Sequence, residues 1–276
     1  MFEKVSPSHP DKVADRIAGA LVDLAYEAEG NPRIAVEVLI GHETCTIVYE
    51  SSVFIDEDTI KEVVYRITGT TLWNFTIEWN PQDTHLSENQ DNGFKCGDNG
   101  IFKGCPVTQE QRRLTDTMRA IYDKYPYDGK AVLHNDRIIL CQSHVHDYHD
   151  LLPFLSGYSD YLINPLGPWT GGPDVDTGAT NRKLGSDMGD AVTGGGLHGK
   201  DLSKADVSVN IACHLMAQAH GQQCTASCAI GDQQIEFRFD NEDMPIVEPY
   251  QNVVEAARRY VNELGGFEKL AEWGLV

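Results

Sequence analysis

The sequence predicts an α+β fold: three related subdomains of mixed or antiparallel sheet, each with helices packed on one face. Three observations predict it. Short strand-like runs alternate with helical runs along the whole chain. Adjacent strand runs are separated by tight turns, as hairpins require. The order helix, strand, strand, helix, strand recurs loosely, which suits repeated layers of sheet and helix. No near-identical repeat and no low-complexity tract is present.

The elements follow in order. "SPSHPDKVADRIAGALVDLAYEAEG" opens with a Ser/Pro/Asp start signal and then places Val13, Ile17, Ala20, Leu21 and Leu24 on one helical face, with Gly30 beyond the end. "RIAVEVLIG" and "TCTIVYESSV" are strand-like and are separated by Gly41-His42-Glu43, so they form a hairpin or meander. "IDEDTIKEVVYRITG" is a capped helix and "LWNFTIEWN" a strand. Residues 81–103 are polar and Gly-rich, long for a passive connection, and suit a binding loop. "TQEQRRLTDTMRAIYDKY" is a helix. "KAVLHN" and "RIILCQSHV" are strands about a turn at Asn135-Asp136, and "YHDLLPFL" is a short helix. "LINPLGPWTGGPDVDTGATNRKLGSDMGDAVTGGG" is loop-rich with little strand character. Ser203 to Ala219 is helical, with Gly221 past its end. "TASCAIG" and "QQIEFRF" are strands, and "EPYQNVVEAARRYVNELGG" is a final long helix. Approximate subdomains are 1–100, with the binding loop near 81–103, then a shortened 101–165, then 166–276; they need not be continuous in sequence.

The totals narrow the function. A net charge of −20 argues against a nucleic-acid or anionic-membrane surface. The seven cysteines are scattered without a CxxC pair, which reads as free thiols in a reducing compartment. The start "MFEKVSPSHPDK" has no apolar signal core. No run approaches the roughly 18–20 apolar residues of a membrane span. A cytoplasmic protein is expected.

"TGGGLHGKDLSKAD", Thr193 to Asp206, matches G-x-x-x-x-G-K through Gly194, Gly199 and Lys200. A nucleotide P-loop would need a buried strand before it and a Ser or Thr after the lysine; here "KLGSDMGDAVT" precedes and Asp201 follows. Yet Arg182, Lys183, Lys200 and Lys204, four of only 22 basic residues, fall in 23 positions around a helix start. Unpaired N–H groups and the helix dipole favour an anion there. A polyphosphate clamp fits better than a solvated loop. His9 and Asp11 flank Pro10 at another helix start, where an Asp is commonly only a cap. "SHVHDYHD" at 143–150 lacks the spacing of a dinuclear or HExxH metal site and reads as a polar helix start. "FKCGDNGIF" at 94–102 is open between a tight turn and a site.

Taken in order, these segments resemble methionine adenosyltransferase, the S-adenosylmethionine synthetase family, here as a shortened member. "VSPSHPDKVADRIAGALVD" is similar to that family's V-S-E-G-H-P-D-K-I-A-D-Q-I opening, and "AVEVLIGHE" to A-C-E-T-x-V…G-E. "CGDNGIF" resembles G-A-G-D-Q-G-x-x-F, and "YDGKAVL" resembles P-D-A-K-x-Q-V. The two specific matches are "LINPLGPWTGGPDVDTGATNRK", similar to I-N-P-T-G-x-F-x-x-G-G-P-x-x-D-x-G-L-T-G-R-K, and "TGGGLHGKDLSKAD", similar to H-G-G-G-A-F-S-G-K-D-x-x-K-V-D. In that family's pattern an Asp after the lysine is expected.

The resemblance implies synthesis of S-adenosylmethionine from ATP and L-methionine by in-line attack of sulfur on C5′, followed by hydrolysis of triphosphate to phosphate and pyrophosphate, a step in one-carbon metabolism. It implies His9 beside the triphosphate, with His9, Arg182 and Lys200 as the catalytic set. Asp128 and Lys130 would lie at the nucleotide, with Trp169 stacked on adenine. Asp176 would bridge nucleotide and methionine. Arg182, Lys183, Lys200 and Lys204 would grip polyphosphate. Glu43, Gln82, Asp98, Asp176 and Lys204 would hold methionine. Asp11 and Asp206 would ligate two Mg²⁺ ions, and Glu37 would serve a K⁺ site. A homodimer with active sites at the subunit interface, or a tetramer, is implied too. Departures are Val207 where the family has Arg, and Asn181 where its Gly-Arg-Lys has Gly. A polyphosphate or nucleotide hydrolase and a catalytically dead binding subunit are the rival readings.

Overall fold

A computed structural model describes residues 1–83 and 95–276. The expected binding loop at 81–103 therefore falls partly outside the described residues. Helix α1 (Pro10–Ala28) carries the predicted apolar face, and much of its remaining surface is buried as well. Val13, Ile17, Leu21 and Val22 all lie in the main core. Burying a side chain such as Ile17 contributes roughly 1.5–3 kcal/mol, so this helix anchors the molecule.

Twelve strands, among the described residues, form three four-stranded sheets. In the first, β2 (Ile34–Gly41) and β3 (Thr44–Ser51) are the predicted hairpin. Strand β4 (Asn74–Asn80) lies parallel to β3, and short β9 (Gly178–Ala179) pairs with β2. In the second, β6 (Gly129–His134) and β7 (Arg137–Gln142) pair across Asn135 and Asp136, both at positive φ. Strand β1 (Phe2–Val5) joins β6, and β8 (Asp160–Ile163) lies parallel to β7. In the third, β5 (Gly100–Gly104), β10 (Cys224–Cys228), β11 (Gln234–Phe239) and β12 (Ile246–Pro249) are all antiparallel. A parallel neighbour requires a crossover. Helix α2 (Glu57–Thr68) supplies it in the first sheet, and a 3₁₀ helix (Tyr148–Leu155) in the second. The third sheet has none, which is why the recurrence is only loose.

Each sheet carries helices on one face. Helix α1 covers β2 and β9; α3 (Gln109–Lys124) covers β1 and β6. Helices α5 (Ala205–His220) and α6 (Tyr250–Leu264) cover the third sheet. Among the described residues two shorter α-helices remain: α4 (Leu184–Met188) beside β1, and α7 (Phe267–Trp273), which lies along α1. The stretch from Leu162 is less loop-like than expected at its start: β8 includes Leu162 and Ile163, because Ile139 and Leu140 offer them an open edge. All seven cysteines are free thiols, and the Cys96 and Cys228 sulfurs lie 3.1 Å apart.

Candidate active site

The start of α1 gathers several of the expected residues. His9 is the N-cap, and its Nδ1 accepts a hydrogen bond from the Asp11 N–H at 3.2 Å. Strand β9 crosses directly over this turn, because Gly178 has no side chain: a Cβ there would lie 2.1 Å from the Pro10 carbonyl. That approach lets the Ala179 N–H donate to Asp11 Oδ1 at 2.9 Å. Lys183 Nζ then reaches Asp11 Oδ2 at 2.5 Å, and Arg182 Nε lies 3.6 Å from Oδ1. A carboxylate only 1% exposed is thus held by groups far along the chain.

Burial, reinforced by Lys183, pushes the His9 imidazole down to about 4; Lys130 adds to this, while Asp11 and Asp176 oppose it. The ring is neutral near pH 7. With Nδ1 accepting, its proton sits on Nε2, a donor for an anionic oxygen.

Burial pushes Asp128 up to about 6, against the hydrogen bond from the Gly172 N–H at 3.0 Å. Asp176 and Asp11 raise it further and Lys183 opposes. His9, Asp11, Asp128, Asp176 and Lys183 thus share one electrostatic neighbourhood. The native state holds the Asp128 proton more tightly than the unfolded chain does. Stability from this group is full below about pH 4 and is lost as pH rises through about 6. Asp128→Asn is therefore expected to raise the melting temperature at pH 7, by on the order of 2 kcal/mol in stability, with no gain at pH 4. A gap equal at both pH values would acquit the buried carboxylate.

The glycine-rich segment is laid along the open edge of β2. Val36 N–H donates to the Gly199 carbonyl at 2.7 Å, Asp201 N–H to the Ile34 carbonyl at 3.0 Å, and Lys200 bridges to Ala35. Asp201 is fully buried; its oxygens accept from Ile34 N–H at 2.9 Å and Ser203 N–H at 2.8 Å. It fastens the loop, a task for a carboxylate rather than a metal-binding hydroxyl. Lys200 Nζ meets Asp206 Oδ2 at 2.5 Å in the first turn of α5. Gly195 packs on that carboxylate so closely that a Cβ would lie 2.1 Å from Oδ1. Val207 is wholly in the core, in one cluster with Leu197 and Leu202 of the loop. An arginine there would be a buried charge.

Asp11 and Asp206 are hard oxygen donors, largely buried, and face cations on flexible stems, Lys183 and Arg182 at Asp11 and Lys200 at Asp206. That donor chemistry fits Mg²⁺. No direct contact joins them among the described residues; the segment from Gly178 to Lys200 links them. Glu37, on β2, accepts a short hydrogen bond from Thr180 Oγ1 and offers the carboxylate expected for K⁺. Asp15, Asp187 and His198 also lie close enough to hold a metal ion. The Lys12 ammonium already stands among them, 2.5 Å from Asp187 and 3.1 Å from Asp15.

Trp169 and Asp128 flank Gly171, and the Trp169 indole donates to Asn164 Oδ1 at 3.3 Å. Lys130 pairs with Glu3 at 2.6 Å. Lys204 is the N-cap of α5, without a side-chain cap bond. Glu43, exposed at the tip of the β2–β3 hairpin, adjoins the Asp176 loop: His42 N–H donates to the Pro173 carbonyl, and Gly41 packs on Asp176. For Gln82 and Asp98 no hydrogen bond or ion pair among the described residues reaches the His9 group, although the Gly97 N–H beside Asp98 donates to the Ser203 carbonyl at 3.2 Å, next to Lys204. In the 143–150 segment, His144 stacks on Tyr127 and exposed His149 pairs with Asp147 at 2.7 Å.

Sequence reasoning missed Lys12, Asp15, Asp187, His198 and the part played by Asn181. Burial alone would raise Asp187, but Lys12 and His198 overcome it and hold the carboxyl below its usual range. The helical period gave no signal for them: Lys12 and Asp15 lie off the Val13–Ile17–Leu21 face, on a side of α1 that the folded chain buries as well.

Residues 1–85 match the family model described as S-adenosylmethionine synthetase, N-terminal domain. The S-adenosylmethionine synthase of Rhizorhabdus wittichii is 29% identical over 348 aligned positions, covering 96% of this chain and 85% of that protein. The Fusobacterium nucleatum S-adenosylmethionine synthase is 29% identical over 273, covering 78% and 71%. Among solved structures, an unusual S-adenosylmethionine synthetase from Campylobacter jejuni superposes with a TM-score of 0.77 at 19% identity, over all of this chain and 95% of that one. The likeness to the structure shows a shared fold.

Proposed function

Because this chain belongs to the S-adenosylmethionine synthetase family, as a shortened member, we propose that it forms S-adenosylmethionine from ATP and L-methionine by in-line attack of sulfur on the ATP C5′. The C5′–S bond forms as the C5′–O bond breaks, and the electron pair leaves with triphosphate. A thioether has no proton to lose, so no general base is needed. The work falls to alignment and to stabilising charge on the leaving group.

The observation that carries this reading is the junction at Asp11. It sets a neutral imidazole, two cations and a helix start side by side. His9 Nε2–H would donate to a phosphate oxygen, and Arg182, Lys183, Lys200 and Lys204 would hold the rest. Asp128, Lys130 and Trp169 would receive the nucleotide, with Asp176 between it and methionine. Asp11 and Asp206 would hold Mg²⁺ and Glu37 K⁺; bound Mg²⁺ would neutralise phosphate charge. Hydrolysis of triphosphate to phosphate and pyrophosphate would use the same cations.

Glu43, Gln82 and Asp98 would hold methionine across a homodimer interface, or within a tetramer. Support for assembly comes from the outward sheet faces, which expose Leu39, Val48, Ile101, Ile139 and Val247. No helix among the described residues is long and apolar enough to cross a membrane, and we place the reaction in the cytoplasm.

Mass spectrometry of ATP, methionine, Mg²⁺ and K⁺ with the protein tests the function. S-adenosylmethionine should appear, and only when methionine is present. Phosphate release that ignores methionine would favour a nucleotide hydrolase. Trp169→Ala should weaken ATP by roughly 1–3 kcal/mol, the worth of base stacking, and leave tripolyphosphate binding unchanged. Equal losses for both would make the tryptophan structural.

A further inference from the structure

We propose that the Asn181 side chain is a strap that sets the spacing between the two cationic arms of the phosphate site, one bearing Arg182 and Lys183, the other Lys200. The proposal rests on the reading of these residues as a phosphate clamp. Asn181 sits at φ 62°, a conformation open to Gly and Asn but strained for most residues. Its amide grips the backbone of the opposite arm in both directions. Nδ2 donates to the His198 carbonyl at 3.1 Å, and Oδ1 accepts from the His198 N–H at 2.9 Å. Gly196 packs against the same amide. A glycine at 181 would keep the turn and lose both bonds.

The strap is tied down from below. Asn181 N–H donates to Asp15 Oδ1 at 2.7 Å. The His198 ring meets Asp187 Oδ2 at 3.0 Å, and Asp187 meets Lys12. Lys12 and Asp15 belong to α1, the helix whose start holds His9 and Asp11. The ring of contacts thus references both arms to one helix. Lys12, Asp15 and Asp187 are at most 1% exposed and His198 is 3% exposed, so these are positioning residues that touch no substrate.

A strap is needed because the arms carry like charges. Each lysine here is paired with a carboxylate, Lys183 with Asp11 and Lys200 with Asp206. Any anion that draws the lysines off those partners brings cations together, which repel at short range. Amide hydrogen bonds to backbone do not depend on that charge balance. They hold the arms at one separation before and after the anion arrives.

The test uses Asn181→Gly and Asn181→Asp in the whole chain. Calorimetry measures tripolyphosphate binding without turnover; steady-state kinetics measure S-adenosylmethionine formation. Asn181→Gly should weaken tripolyphosphate about tenfold, the scale of losing two hydrogen bonds, and lower kcat similarly. The KM for methionine should stay within about twofold, which distinguishes lost spacing from general loosening. Asn181→Asp keeps the acceptor, loses the donor, and should also weaken tripolyphosphate. If position 181 matters only for its turn, glycine serves at least as well as asparagine. Wild-type tripolyphosphate affinity in either variant therefore overturns the strap. Failure of the unaltered protein to bind tripolyphosphate would instead overturn the phosphate-clamp reading itself.

Discussion

Asp11→Asn is expected to abolish most synthesis of S-adenosylmethionine, by on the order of 10²-fold or more, the scale of losing one preorganised electrostatic group. Asparagine keeps the size of the side chain and can still accept from the Ala179 N–H, so the crossing of β9 over α1 survives. It removes the charge that faces Lys183 and would hold a hard cation. The residual activity should need more Mg²⁺ for half-saturation. Asp206→Asn should behave alike, since its carboxylate sits in the same relation to Lys200. Replacing His146 and His149, exposed on the 143–150 segment, is the control and should change neither activity nor Mg²⁺ demand. Should those histidine variants be inactive while both Asn variants work, the assignment of Asp11 and Asp206 is wrong and a metal hydrolase becomes the better reading.

Lys200→Ala should lower kcat by on the order of 10²-fold while the KM for methionine hardly changes, because the leaving group gains charge only as the bond breaks. The structure adds a second readout. Lys200 neutralises Asp206 at 2.5 Å, so its removal frees that carboxylate for Mg²⁺. The half-saturating Mg²⁺ concentration should fall or stay level, opposite to Asp11→Asn. A rise would show that Lys200 supports metal binding rather than opposing it. Unchanged turnover would remove Lys200 from the clamp.

The periodic elements and the chemistry-bearing stretches are legible in the chain's local pattern. Val13, Ile17 and Leu21 announce α1, and the alternation in 34–51 announces the β2–β3 hairpin. Such patterns are local: a helix or strand with one face to bury writes its period into a few neighbouring residues. The cationic run from Arg182 to Lys204 was legible for the same reason. Short strands were not. Two-residue β9 has no period, and it exists because β2 offers an open edge and Gly178 permits contact with Pro10. Nor was the pairing of charges legible. Lys183 with Asp11 and Lys12 with Asp187 join residues more than 170 positions apart. Val207 reads as a lost cation in the sequence and is a core residue in the fold. Asn181 reads as a departure from a Gly pattern, yet it keeps the turn and gains two bonds to His198. These features arise only in the folded chain. A charge or amide carries no record of its partner in its own neighbourhood, and the cost of burying it unpaired is met only where the folded chain brings that partner in.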